Sequence, residues 1–165
     1  MTTRQADSVE WMRARWQEHD APCPAQFAAM ASVLRAGVVM TEAIDRTLRS
    51  VNLTRTGYLV MITLQMSDEL SRPLGQLSKT LLVHPTTVTM VIDQLEKAKL
   101  VLRKPHPTDR RTVLARLTPK GLSLVEQANA ALGEIAFGMG GVDDGTADRI
   151  TEDLRRVRRG LGDEG

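Results

Sequence analysis

Between Pro85 and Leu117 the spacing of apolar residues switches from a helical to a strand period, and this switch constrains the fold more than any other feature. Pro85 suits the first position of a helix, and Val88, Val91, Ile92 and Leu95 follow at i, i+3, i+4 and i+7. That stripe must face a core. The opposite face carries Thr86, Met90, Asp93 and Lys97, flanked by Thr87, Thr89 and Gln94, so it is small, polar and hydrogen-bonding. After Lys99 the period falls to two, with Leu100, Leu102, Val113, Ala115 and Leu117 expected on one side against Arg103, Leu114 and Arg116. The connecting run Pro105-His-Pro-Thr-Asp-Arg-Arg111 is too long and too proline-rich for a tight turn, which predicts a projecting arm.

The formal charge of +2 is small, but it averages over segments of opposite sign. From Lys97 to Lys120 there are eight Lys or Arg against one acidic residue, Asp109, so a positive field is expected locally. At 165 residues and 42% hydrophobic the chain can bury one core. Aromatic residues make up 3%, so that core must be aliphatic and methionine-rich, which favours helix on helix.

Residues 8 to 19 form a short amphipathic helix in this reading, with Val9, Met12 and Trp16 on one face, broken by the following Asp20-Ala-Pro-Cys-Pro run. A long helix follows from Ala25 to Val51, with Phe27, Met30, Leu34, Val38, Ile44, Leu48 and Val51 along it; such length suggests partner contacts. Thr54 caps a helix to about Asp68 that is apolar nearly all round and expected to be central. A short helix from Leu74 to Leu82 turns Leu74, Leu77 and Leu81 inward and Ser78, Lys79 and Thr80 outward. Thr118-Pro119 opens a helix to Ala136. After a Gly-rich break, Asp143 to Gly160 gives a last helix with Ala147, Ile150, Leu154, Val157 and Leu161 expected inward.

The fold class expected is therefore mainly α: about six helices with a two- or three-stranded hairpin sheet, arranged as a winged helix-turn-helix. In that arrangement the second of two short helices enters the DNA major groove. Threonines can meet phosphates or base edges, and Met90 and Thr methyls can pack on thymine methyls. The expected organisation is an arm over 1–24, a helical dimerisation region over 25–52 and 119–165, and a DNA-binding region over 53–118.

The residues also resemble the MarR family, the multiple antibiotic resistance regulators, over roughly Leu53 to Gly121. Asp109-Arg-Arg111 followed by Leu114, Leu117-Thr118 and Gly121 resembles that family's wing signature. Val83-His-Pro-Thr-Thr-Val-Thr-Met-Val-Ile-Asp-Gln-Leu95-Glu-Lys, with Leu100-Val101 after it, resembles its recognition helix. The resemblance implies a sequence-specific regulator, a homodimeric repressor on a pseudo-palindromic operator in double-stranded DNA, responsive to a ligand or stress. Its DNA contacts would be Thr86, Thr87, Thr89, Met90, Lys104, Arg110 and Arg111. Arg111 would enter the minor groove, held in orientation by Asp109. Two positions depart from the family pattern: Met90 stands where many members carry arginine, and Lys99 where glycine ends the recognition helix.

A small-molecule inducer between the dimerisation and DNA-binding parts is implied by the resemblance, with Tyr58, Met30 and Met61 as candidate lining; at helical spacing such residues are more often core. The Trp11 arm loosely resembles the urate-responsive branch, but Leu59 and Val91 replace that branch's acidic residue and arginine. Cys23 offers an alternative, a redox-sensing regulator, since the resemblance includes a branch with a lone reactive cysteine near the start of its first long helix, and a helix N-terminus lowers thiol pKa. Lying between two prolines with no adjacent base, it also reads as an unreactive thiol. A further alternative is a winged-helix interaction or architectural DNA-binding module.

One cysteine and three scattered histidines give no expected metal site, cofactor or intramolecular disulfide. No Gly-rich phosphate loop or GxSxG appears, so no enzyme is expected. No run reaches about 18 apolar residues and Met1 to Asp7 is polar, so neither a membrane span nor a secretory signal is expected, and a cytoplasmic setting follows.

Overall fold

The computed structural model describes residues 7–109 and 111–163. It has seven α-helices and three strands among those residues, in the order α1 (Ser8–Glu18), α2 (Pro24–Ser50), α3 (Arg55–Gln65), β1 (Ser71–Pro73), α4 (Leu74–Thr80), α5 (Pro85–Lys97), β2 (Val101–Pro105), β3 (Val113–Leu117), α6 (Pro119–Glu134) and α7 (Asp144–Gly160). By its internal contacts the chain divides at Ala43/Ile44 into two compact units, a boundary that falls within α2.

In the first unit Asp7 caps α1 by accepting the Val9 N–H at 2.8 Å. The Trp16 indole N–H donates to the Pro22 carbonyl at 2.8 Å, and its ring stacks on Phe27 with centroids 4.0 Å apart. Cys23 is exposed, has φ 54°, and its carbonyl accepts the Phe27 N–H in the first turn of α2. Met30, Val33, Leu34, Val38 and Val39 are all at least half exposed along α2. An 18-residue window of this helix has a mean hydropathy of 1.5, a length and composition shared by membrane spans and by apolar helices of other proteins.

The core of the second unit gathers Leu48 and Leu53, Tyr58, Val60, Met61 and Leu64 of α3, Leu77 of α4, the stripe of α5, the strands, and Val125, Ala128 and Leu132 of α6. Each fully buried Leu, Ile, Val or Met side chain among them contributes about 1.5–3 kcal/mol through its removal from water. α3 is central as expected; Thr54 caps it by accepting the Gly57 N–H at 3.1 Å. The sheet is antiparallel with β3 in the middle, in the order β1-β3-β2. Ser71–Pro73 forms its third strand, with Arg72 opposite Ala115.

Three expectations need correction. Ser78 is buried, not outward, and its hydroxyl donates to the Gly75 carbonyl at 2.9 Å, which removes the cost of burying it. In β2 it is Val101 that is buried and Leu102 that is exposed, because Leu100 lies in the turn before the strand and is buried from there. On α7, Ile150, Leu154 and Val157 are 36%, 37% and 53% exposed, and Leu161 just past its end is 81% exposed, so the stripe does not point into the core of its own chain.

Candidate nucleic-acid interface

The turn between α4 and α5 is short and strained at one residue. Leu82 adopts φ 50°, and the Val83 N–H returns to the Ser78 carbonyl at 3.1 Å. His84 then caps α5: its Nδ1 accepts the Thr86 N–H at 3.3 Å, and Pro85 occupies the first turn, where no amide is missed. Val88, Val91, Ile92 and Leu95 are buried as the spacing predicts. That burial turns Thr86, Thr87, Thr89, Met90, Gln94 and Lys97 to solvent. Thr89 donates its hydroxyl proton to the Pro85 carbonyl at 3.1 Å, so toward solvent it offers lone pairs and a methyl group rather than a proton.

The exit of α5 is tied to the start of α6. Lys99 sits at φ 59°, in the left-handed region where the family resemblance implies glycine. The Thr118 hydroxyl donates toward the Lys99 and Leu100 carbonyls at 2.9 and 3.1 Å and accepts the Gly121 N–H at 2.9 Å. Lys120 donates to the Ala98 carbonyl at 2.9 Å, capping α5 with a cation at the negative end of its dipole.

β2 and β3 pair from Val101–Leu117 to Pro105–Val113, and the arm closes beyond them. His106 N–H reaches the Thr112 carbonyl at 3.1 Å, and His106 Nδ1 accepts the Thr108 and Asp109 N–H groups at 3.3 and 3.2 Å. The Asp109 carboxylate accepts the Thr112 hydroxyl at 2.6 Å and the Arg111 backbone N–H at 2.9 Å, and these two bonds hold it below the usual carboxylate range. It therefore acts on the backbone that carries Arg111. Arg111 and Lys104 are exposed, and Arg111, His106 and Thr112 line a cleft with Gln76 and Lys79 of α4. Arg110 lies outside the described residues.

Sequence reasoning counted Arg103 in the positive field and missed what it does. Its guanidinium lies 2.6 Å from Asp93 and 2.6 Å from Glu96, both on α5, and its backbone N–H donates to Glu96 at 3.2 Å. Burial by itself would lower its pKa; the hydrogen bonds to Asp93 and Glu96 outweigh that and hold it above its ordinary value. The two carboxylates stand just before the Lys97–Lys120 window, so the count of charges there did not bring them together with Arg103.

Of the candidate sensing residues, Tyr58 and Met61 are buried in the core. The Tyr58 hydroxyl donates to Asn129 Oδ1 at 2.8 Å, and Asn129 donates to Gln65 at 3.3 Å, so the phenol has a structural partner on α6; its burial raises its pKa.

The family model described as the MarR family matches residues 53–113, which run from before α3 to the first residue of β3. The HTH-type transcriptional regulator MhqR of Bacillus subtilis (strain 168) is 35% identical over 89 residues, 52% of this chain and 60% of that protein, so the match spans under two thirds of the relative's length. Among solved structures, Sco5413, a MarR family transcriptional regulator from Streptomyces coelicolor, is 31% identical with a TM-score of 0.77, over 85% of this chain and 97% of that one. BpsR of Bordetella bronchiseptica, whose DNA binding is regulated by 6-hydroxynicotinic acid, is 27% identical with a TM-score of 0.69, over 77% and 90%. With a buried stripe on α5, a basic hairpin behind it and a relative matched over nearly its whole length, the chain belongs to the MarR family of winged helix-turn-helix transcription regulators.

Proposed function

We propose that this chain is a dimeric, sequence-specific DNA-binding repressor that docks α5 in the major groove and the arm between β2 and β3 in the adjacent minor groove. The observation that carries the reading is the outward row Thr86, Thr87, Thr89 and Met90 on a helix whose other face is fully committed to the core. Phosphate contacts fall to Lys104 and Arg110, base-edge and thymine-methyl contacts to the α5 row, and the minor groove to Arg111. Asp109 serves that contact through the Arg111 backbone, by fixing the turn from which the guanidinium projects.

In this reading residues 53–118 bind DNA, residues 25–52 and 119–165 form the dimer, and residues 1–24 support it. The exposed apolar residues of α2 and α7 meet a second copy rather than a bilayer, and the protein works in the cytoplasm without catalysis. A small-molecule inducer is supported by the ligand-regulated relative BpsR.

The test is selection of duplexes from a randomised pool, followed by titration of the recovered site and a scrambled one. A pseudo-palindrome with half-sites about one helical turn apart, preferred by ~10³-fold or more, is the expected result. Arg111→Ala should weaken binding and reduce the slope of log affinity against log salt by about 0.9 if one phosphate-equivalent contact is lost. Recovery of no preferred site, or an unchanged affinity and slope in Arg111→Ala, would count against the reading.

A further inference from the structure

Resting on the DNA-binding reading above, we propose that Arg103 is a positioning residue that clamps the wing to the recognition helix α5, and that its charge is not a DNA contact. Thr89, Asp93 and Glu96 stand at i, i+4 and i+7 on α5 and so form one face of that helix. Arg103 engages all three: Nη2 lies 2.6 Å from Asp93 and 3.5 Å from the Thr89 carbonyl, Nη1 lies 2.6 Å from Glu96, and the main-chain N–H adds a bond to Glu96.

An isolated surface ion pair contributes little, because two long side chains must be ordered in water. This arrangement differs in kind. The guanidinium side chain is 28% exposed, both of its forks are occupied, and one acceptor is shared with the backbone, so one ordered side chain satisfies several bonds at once. A planar fork is needed to span two carboxylates; a lysine ammonium is a single point.

The position in the fold gives the clamp its consequence. Arg103 pairs across the sheet with Ala115, which is fully buried in the central strand, so this register point is fixed to the core. Lys104 follows at once and the arm bearing Arg111 starts two residues later. The clamp thus ties α5 to β2 two residues before the strand ends and the arm begins. It sets the direction of the arm relative to the helix, which is the geometry a two-groove reader must keep constant.

The test compares Arg103→Met and Arg103→Lys with the parent protein. Amide hydrogen exchange is measured without DNA, and affinities are measured for the selected and the scrambled duplex across a salt series. Both variants should exchange faster at the His106 and Thr112 amides while α6 is unchanged. Arg103→Met should lose the preference for the selected duplex by tenfold or more with little change in salt slope on the scrambled one. Arg103→Lys should keep the slope and still lose several-fold of the preference. If Arg103→Met instead lowers the slope by about 0.9 with its preference intact, and Arg103→Lys behaves as the parent, Arg103 is a phosphate contact and the clamp is wrong. Unchanged exchange in the arm overturns it as well. If the parent itself prefers no duplex, the DNA-binding reading fails separately, and the exchange measurement alone then decides whether Arg103 holds the arm.

Discussion

Gly121 shows how one missing methyl group joins two functional elements. A Cβ there would stand 2.1 Å from the Leu100 carbonyl oxygen and 2.9 Å from a Leu117 methyl, and the carbonyl is backbone that cannot turn aside. The close approach seats the first turn of α6 on the exit of α5. Gly121→Ala should therefore destabilise the protein by roughly 1–3 kcal/mol, the usual range for overpacking, as read from the urea midpoint. Gly133 on the same helix is the control: a Cβ there meets nothing within 4 Å, so Gly133→Ala should raise the midpoint by helix propensity, about 1 kcal/mol at most. Equal effects at the two sites would mean the close approach is not sustained in solution. Asp109 makes a prediction of another kind. Its pKa is lowered in the fold, so the order it lends the arm is complete above the ordinary carboxylate range and is lost only as pH falls through the lowered value. The Arg111 amide resonance should titrate below the range of ordinary exposed carboxylates, and a midpoint within that range would show that the Thr112 and Arg111 bonds are not kept.

At the scale of elements, the helices were legible because their ends carry explicit chemistry. Thr54, Thr118 and Pro85 mark starts that the fold keeps, since each meets an orphan backbone group by its side chain or by having no amide to satisfy. The third strand was not legible: Ser71–Pro73 is short, contains a proline, and becomes a strand only by pairing with β3 over forty residues away. The β2 register slipped for a related reason, since Leu100 is buried from a turn and its burial says nothing about the strand after it. The Arg103 clamp was hidden because ion pairing between a helix and the following strand leaves no periodic trace. The exit of α5 was legible only as a departure, Lys99 standing where the resemblance implies glycine; the structure shows that Lys99 adopts the left-handed conformation itself. A non-glycine residue there carries strain of order 1 kcal/mol. Lys99→Gly should raise the unfolding free energy by up to that amount, offset in part by a freer unfolded chain. A loss of stability would mean that the Lys99 side chain makes a compensating contact.

At the scale of the whole molecule, an apolar stripe in a sequence announces a face without saying what covers it. For α5 the cover is the chain's own core. For α7 it is not: Ile150, Leu154, Val157 and Leu161 lie at i, i+4, i+7 and i+11 with exposures rising from 36% to 81%, while Glu152 and Asp153 pair with Arg155 and Arg156 on the polar side. A helix so divided, with Glu152 and Asp153 ion-paired along it and its apolar side bare, suits a second copy of the chain, and the two-fold symmetry of a dimer matches a palindromic site. Leu154→Glu isolates this step because its side chain is partly exposed within the single chain and not part of the DNA row. The variant should keep the thermal unfolding of the 44–163 core but sediment as a monomer. Its affinity for the full palindrome should fall by ~10²-fold or more, the scale set by loss of a tethered second site, while its affinity for a half-site duplex stays that of the parent. The half-site arm separates loss of avidity from the repulsion an added carboxylate would exert on any DNA. A variant that remains dimeric would place the dimer contact elsewhere. A monomer that binds the palindrome as tightly as the parent would show that each chain reads its site alone.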